Sequence, residues 1–337
     1  MERTWFEQLF GFAEGPYAWT REQLTLDGER LGSKVNGRSF GAGTFTTPTL
    51  ASLREQTEGA RRGDVLVRHE VIGDVLELHS LPSNAGAMFQ AASQFNCLEF
   101  AGPEELPEDG VTQYATDPTQ GPACALAAAA GTVVRNYFAV VDGQSGQTRD
   151  RQINNLRGVM SLLDPSLLDV RNGYTFSDAE RLVRLEAKIA ATDRQLLLGA
   201  LRIGVQAHAQ VTFQSRFVEL APREQYVSQA YCSAISCGYN GGGPGLWEPI
   251  ASLVLEATYE ATLRAAILDA ERGSGSGRVW LTFIGGGVFA NESEWIGRAM
   301  VRALATVQGA KLDVRIGHYQ QIDRAIEAAV QATGSRS

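Results

Sequence analysis

The stretch LPSNAGAMFQAASQFNCLEF (residues 81–100) predicts a turn that leads into a helix. The apolar residues at positions 74–80, immediately before it, suit a buried strand. The predicted turn therefore brings Asn84, Ala85 and Gly86 to the tip of that strand. At such a tip, the backbone N–H groups that open a helix can face an anionic ligand.

Three amide side chains, those of Gln90, Gln94 and Asn96, lie on the predicted helix among apolar residues. A helix face that is only exposed to solvent usually carries Lys and Glu rather than several amides. The pattern fits two interpretations: an amphipathic core helix with a polar side, or the wall of a nucleotide pocket. The residues themselves leave both open.

The bulk composition excludes several classes of protein. The chain has 337 residues, is 44% hydrophobic and carries a net charge of −8 with a pI of about 5.2, so nucleic acid is not a favoured partner. It shows neither a signal-peptide pattern nor an apolar run of membrane-spanning length, which predicts a cytoplasmic protein without a membrane partner. Four cysteines lack the spacing of a zinc site or a disulfide framework, and we expect buried thiols and no metal.

Strands and helices alternate through the second half of the chain. Apolar runs predict strands at 205–217, 226–235, 278–284 and 311–316, and helical patterns follow at 246–271, 291–306 and 320–332. This order predicts an α/β fold with a mixed, mostly parallel sheet and helices on both faces. In such sheets ligands bind at the carboxyl ends of the strands.

A further loop precedes a predicted helix. Pro122 marks the first turn of an alanine-rich helix, predicted over 123–135, and the loop before it offers Asp117, Thr119, Gln120 and Gly121 to a ligand. The alternative is that Asp117 and Thr119 only cap that helix.

Two glycine-rich loops are further candidates for ligand contact. Gly241 and Gly242 lie in one loop, which fits either a ligand loop or a flexible tip. Gly285, Gly286 and Gly287 form a second loop after a predicted strand.

Two segments resemble the macrodomain superfamily, in particular its microbial poly(ADP-ribose) glycohydrolase branch. They are NAGAMFQAASQ (84–94) and VWLTFIGGGVFANESEWI (279–296), and residues 226–240 are similar to the strand before the second ligand loop of that family. The resemblance implies a three-layer, macrodomain-like single domain over 1–337. It also implies an N-terminal elaboration at 1–63 and an insertion at 101–225.

The resemblance further implies an ADP-ribose-like ligand and no cofactor. Amides of the glycine loop would bind the diphosphate, and Asn84 would lie near the distal ribose. Together with the loops above, the expected ligand-binding residues are Asn84, Ala85, Gly86, Gln90, Gln94, Thr119, Gln120, Gly121, Gly241, Gly242, Gly285, Gly286, Gly287, Phe289 and Asn291.

This chain departs from the family where the catalytic carboxylates are expected. The family has two glutamates after the position of Gln94, whereas this chain has Phe95 and Asn96. Cleavage of a ribose glycosidic bond needs a general acid, and an amide cannot supply the proton. If Asn96 occupies the acid position, Glu99 or Asp117 is the candidate to replace it; the alternative is that both are surface or capping carboxylates.

Two functions remain open from the sequence. One is an ADP-ribosyl hydrolase that acts on an ADP-ribose conjugate without a metal. The other is a non-catalytic reader of ADP-ribose or an NAD-derived signal, which the loss of the paired glutamates favours. A dinucleotide-dependent oxidoreductase is disfavoured, because no Gly-x-Gly-x-x-Gly follows an early strand with an acidic residue about twenty positions later.

Overall fold

A computed structural model describes residues 3–60, 62–241 and 243–334 of the chain. Within these ranges the helices are α1 (Trp5–Phe10), α2 (Tyr17–Glu22), α3 (Leu50–Gln56), α4 (Val75–Ser80), α5 (Gln120–Ala127), α6 (Ala129–Tyr137), α7 (Arg157–Leu163), α8 (Ala179–Ala191), α9 (Arg194–Ala200), α10 (Pro244–Glu271), α11 (Ser293–Thr306) and α12 (Arg324–Gly334). The strands are β1 (Leu24–Asp27), β2 (Arg30–Ser33), β3 (Ser39–Gly41), β4 (Thr44–Thr46), β5 (Val65–Ile72), β6 (Met88–Ala92), β7 (Val140–Val141), β8 (Gln144–Ser145), β9 (Asp169–Arg171), β10 (Tyr174–Phe176), β11 (Gly204–Gln210), β12 (Tyr226–Cys232), β13 (Arg278–Leu281) and β14 (Leu312–Tyr319).

The central sheet has seven strands in the order β4-β11-β12-β6-β13-β14-β5. The five strands from β12 to β5 are parallel, and β11 is antiparallel to both of its neighbours. The predicted mixed, mostly parallel α/β sheet is thereby confirmed. The carboxyl ends of β6, β12 and β13 all lie at one edge of the sheet.

Helices cover both faces of this sheet. Successive side chains of a strand point to opposite faces, so each central strand contributes to a core on each side. Met88 and Val279 pack into the core on one face, with α10 and α11. Phe89 and Trp280, the next residue in each strand, pack into a second core with α4, α5 and α6. The central strands are therefore buried on both sides.

The predicted secondary structure of residues 74–100 is wrong. Residues 75–80 form the short helix α4, whose N-cap is Asp74, with its carboxylate accepting the N–H of Leu76. Residues 88–92 form β6 in the middle of the sheet rather than a helix. A strand buried on both faces has a continuous apolar pattern, and its short run cannot be told from a buried helix by periodicity.

Residues 101–225 contribute to the same sheet and cores. They supply α5 and α6 to one face of the sheet, and β11 pairs directly with β12. The helix predicted over 123–135 is two helices separated at Ala128, where the backbone leaves helical geometry. Among the described residues, no helix has the length and apolar character needed to cross a membrane.

Candidate functional site

A cavity of about 330 Å³ lies at the carboxyl ends of β6, β12 and β13. The segments that follow these strands form its walls together with the start of α5 and part of β10. Its volume is at the lower end of the range for small-molecule sites, and its position is where parallel sheets bind ligands. This cavity is the candidate functional site.

Two glutamine side chains bond the backbone of β6 and of the segment after β13 at this edge. Backbone pairing of these strands ends at Trp280. Beyond it, Gln90 Oε1 accepts the N–H of Thr282 at 3.2 Å, and Gln120 Oε1 accepts the N–H of Ala92 at 2.7 Å. Gln120 Nε2 also donates to the carbonyl of Gln90 at 2.8 Å. Side chains thus replace the missing strand hydrogen bonds, which lets the strands diverge and open the cavity.

Replacing Gln120 by leucine is expected to lower the free energy of unfolding by about 2–4 kcal/mol, because two backbone groups of β6 lose their partners. Urea denaturation would measure the loss. Gln56→Leu is the control, since the hydrogen bonds of the Gln56 amide, to Ser52 and to the Arg272 guanidinium, are all at the exposed surface. Equal stability of the two variants would show that the bonds from Gln120 to the backbone of β6 do not stabilise the protein.

The glycine loop after β13 presents backbone donors to the cavity. Gly285 and Gly287 line it, whereas Gly286 lies against Ile296. Among the described residues, no protein acceptor bonds the N–H groups of Gly285, Gly287 or Val288. Such groups can bind the oxygens of a phosphate.

The conformation of this loop depends on Gly285 and Asn291. Gly285 has a φ of +76°, in the left-handed region, and a Cβ there would lie 2.4 Å from Ala234 Cβ. Asn291 Nδ2 donates to the carbonyl of Ile235 at 2.8 Å, and the Asn291 N–H donates to the carbonyl of Gly285 at 2.9 Å. Asn291 therefore joins the glycine loop to the segment that follows β12.

Aromatic side chains form an apolar wall. The ring centroids of Tyr174, Tyr239 and Phe289 lie 5.0 to 5.8 Å apart. Gln94 braces this wall, because its Nε2 donates to the Tyr174 hydroxyl at 3.4 Å. The same amide accepts the N–H of Phe100 at 3.2 Å and donates to the Phe100 carbonyl at 3.1 Å. Such a wall can pack against a base or a ribose ring.

Glu99 is a buried acid in the cavity wall: 2% of the residue is exposed, and none of its side chain. Its backbone N–H donates to the Tyr114 hydroxyl at 2.9 Å, and its Oε2 accepts from Arg135 Nη2 at 3.0 Å. Oε1 has no hydrogen-bond partner among the described residues. Burial raises the pKa of Glu99 to about 7, against the opposing effect of the Arg135 charge. A carboxyl group with this pKa can donate a proton near neutral pH.

Asp117 is a second carboxyl group in the wall, half-buried in the loop before α5. Its Oδ1 accepts the N–H of Thr119 at 2.8 Å, so it stabilises the turn at the start of the helix. Arg216 holds this loop from outside by donating to the carbonyls of Asp117, Pro118 and Thr119, and it pairs with Asp74.

The structure places Asn84, Ala85 and Gly86 at the opposite end of β6 from the cavity. Asn84 Nδ2 donates to the carbonyl of Leu78, and its Oδ1 accepts the indole N–H of Trp280 at 3.1 Å. A five-residue strand spans about 17 Å. Asn84 therefore joins α4 to the sheet and does not contact a ligand in this cavity.

Several other candidates lie behind the walls. Asn96 is fully buried: its Oδ1 accepts the N–H of Leu98 at 3.1 Å and its Nδ2 donates to Gln152 at 2.9 Å. Gly121 packs against the end of β6, where a Cβ would lie 1.8 Å from the carbonyl oxygen of Ala92. Gly241 is outside the cavity lining, and Gly242 lies outside the described residues.

The structure brings eight of the predicted site residues together on the cavity wall: Gln94, Glu99, Asp117, Thr119, Gln120, Gly285, Gly287 and Phe289. Sequence reasoning missed Tyr174, Tyr239 and Arg135. Arg135 carried a signal, because it is the only charged residue in the alanine-rich run 123–137. A charge in such a run is usually buried with a partner.

No model of a known protein family matches this sequence, and no curated protein matches it. The structure is similar to the crystal structure of poly(ADP-ribose) glycohydrolase from Deinococcus radiodurans in complex with ADP-ribose. Sequence identity is 14%, the TM-score is 0.48, and the match covers 86% of this chain and 94% of that chain. It is also similar to the enzyme of the same name from Thermomonospora curvata bound to the inhibitor ADP-HPD, with 15% identity, a TM-score of 0.43 and coverage of 90% and 93%.

Proposed function

We propose that this protein binds ADP-ribose or a related NAD-derived nucleotide in the cavity and hydrolyses the bond between the ribose and its attached group. The observation that carries the proposal is Glu99, a buried acid in the cavity wall with one unpartnered oxygen. The activity is that of an ADP-ribosyl glycohydrolase.

The walls fit the parts of such a ligand. The free N–H groups of the loop 285–288 suit a diphosphate, and the aromatic wall suits a base or ribose. None of the described residues that line the cavity is Lys or Arg. The diphosphate charge would therefore be met by backbone dipoles, which favours binding through the glycine loop over binding by ion pairs.

Glu99 would act first as an acid and then as a base. In the first step its proton passes to the leaving oxygen as the bond from that oxygen to the anomeric carbon breaks, which gives an oxocarbenium-like state. Water then attacks the anomeric carbon, and the carboxylate of Glu99 takes the proton that the water releases. Glu99 ends in its starting form, and the products are ADP-ribose and the free acceptor group.

Calorimetric titration with ADP-ribose, with AMP and NAD as comparisons, tests the binding. We expect a Kd in the micromolar range, which corresponds to about −8 kcal/mol. Gly287→Trp should abolish the binding, because a Cβ at Gly287 meets no atom within 4 Å and the indole would fill the cavity. Gly73→Trp, at another glycine with open space around it, is the control.

Product analysis on ADP-ribosylated substrates then separates two functions. Release of ADP-ribose supports the hydrolase. Binding without release would support a non-catalytic reader and would contradict the proposed reaction. If ADP-ribose does not bind, or binds equally to Gly287→Trp, the proposed ligand site is wrong.

A further inference from the structure

Arg135 is an arginine with no solvent exposure, held beneath the cavity wall in α6. Its guanidinium carbon lies 3.4 Å from the centre of the Tyr231 ring, in the second core of the sheet. Burying an arginine is costly unless its charge is paired and its donors are bonded. Its partners therefore indicate what the residue does.

Three hydrogen bonds fix the orientation of this guanidinium. Nε donates to the carbonyl of Cys97 at 3.0 Å, and Nη2 donates to Thr132 Oγ1 at 3.1 Å and to Glu99 Oε2 at 3.0 Å. Cys97 and Glu99 lie two residues apart in the segment after β6, so Arg135 binds that segment through both its backbone and its carboxylate. The planar group cannot rotate without breaking these bonds.

This arrangement makes the two oxygens of Glu99 different. Oε2 accepts from Arg135, whereas Oε1 has no partner among the described residues. An oxygen that accepts from a guanidinium is a poor place for a proton, because the proton would face another donor. We infer that Arg135 positions Glu99, a residue of the cavity wall, so that Oε1 rather than Oε2 carries the proton. The inference rests on the proposed hydrolysis for its catalytic meaning.

Arg135 is also the charge that faces the Glu99 carboxyl. The other titratable groups around it are Cys97, Tyr114, Cys124 and Tyr231. Burial raises the pKa of each of them, so they are neutral at pH 7. A positive charge favours the ionised carboxylate. Removing it should therefore raise the pKa of Glu99 further.

The test is a carbon-13 NMR titration of glutamate-labelled full-length protein, with the Glu99 carboxyl signal assigned by its loss in Glu99→Gln. We expect a midpoint near the pKa of about 7 in the native protein and a rise of about one unit or more in Arg135→Met. Arg135→Lys keeps the charge and should show a smaller shift. The control is Arg54→Met, which removes a different, partly buried ion pair, with Glu260 at 2.6 Å.

Turnover gives a second readout that a purely structural role would not change. Glu99 must be protonated to act as an acid, so activity should fall as the pH rises through its pKa. In Arg135→Met that fall should move to higher pH and the maximal kcat should drop, whereas Arg54→Met should keep the native pH profile.

The outcomes separate this inference from the proposed function. An unchanged Glu99 midpoint in Arg135→Met, or the same shift in Arg54→Met, would overturn the role of Arg135. A shifted midpoint in a protein that releases no ADP-ribose would overturn the hydrolase and, with it, the catalytic meaning of the pair.

Discussion

Replacing Glu99 by glutamine is expected to reduce turnover of ADP-ribosylated substrates by about 10²–10⁴-fold, the usual contribution of a general acid. Glutamine keeps the shape of the side chain, and its amide oxygen can still accept from Arg135. It cannot donate a proton to the leaving oxygen. Affinity for ADP-ribose should stay close to that of the native protein, so single-turnover rates and calorimetry together measure the effect.

Asp117→Asn is the matched control, because Asp117 is the other carboxyl group of the described cavity wall. We expect a much smaller loss of turnover, since its Oδ1 already accepts the N–H of Thr119 and an asparagine oxygen can do the same. If Asp117→Asn abolished turnover and Glu99→Gln did not, the acid would be Asp117.

Replacing Gly121 by alanine is expected to lower the free energy of unfolding by about 3 kcal/mol or more. This is at or above the upper end of the usual cost of overpacking a core. A Cβ at this position would lie 1.8 Å from the carbonyl oxygen of Ala92 and 3.2 Å from Glu99 Cγ. The first of these is a backbone atom at the end of β6, so α5 must move away from the sheet. Chemical denaturation would give the loss of stability.

Gly245→Ala provides the comparison, because a Cβ at Gly245 meets no atom within 4 Å. It lies in the first turn of α10, where alanine is the better helix former, so stability should be unchanged or slightly higher. A stable Gly121→Ala protein with native ligand affinity would show that the start of α5 is not packed tightly against β6.

The sequence was most informative where chain geometry is local. Pro122 predicted the start of a helix, and α5 includes it in its first turn. The strand, glycine loop and helix predicted from residue 278 onward appear as β13, the loop with Gly285 and α11. These features depend on φ restrictions and on short-range patterns, which neighbouring residues decide.

The sequence was least informative where burial decides the structure. Residues 88–92 suit a helix and a strand equally, and only pairing with β12 and β13 makes them a strand. Because these residues form a strand, Asn84 lies at the amino end of β6, opposite to the cavity, and not at the tip of a preceding strand as predicted.

By itself, the sequence determined the alternation of strands and helices, and hence a mostly parallel sheet with a candidate site at the strand ends. It also provided Glu99 and Asp117 as candidate acids. Only the tertiary structure decided which of them is buried beside a charge, because Glu99 and Arg135 are 36 residues apart and meet through packing against the sheet. The environment that sets a pKa is made of such distant contacts, which no local pattern encodes.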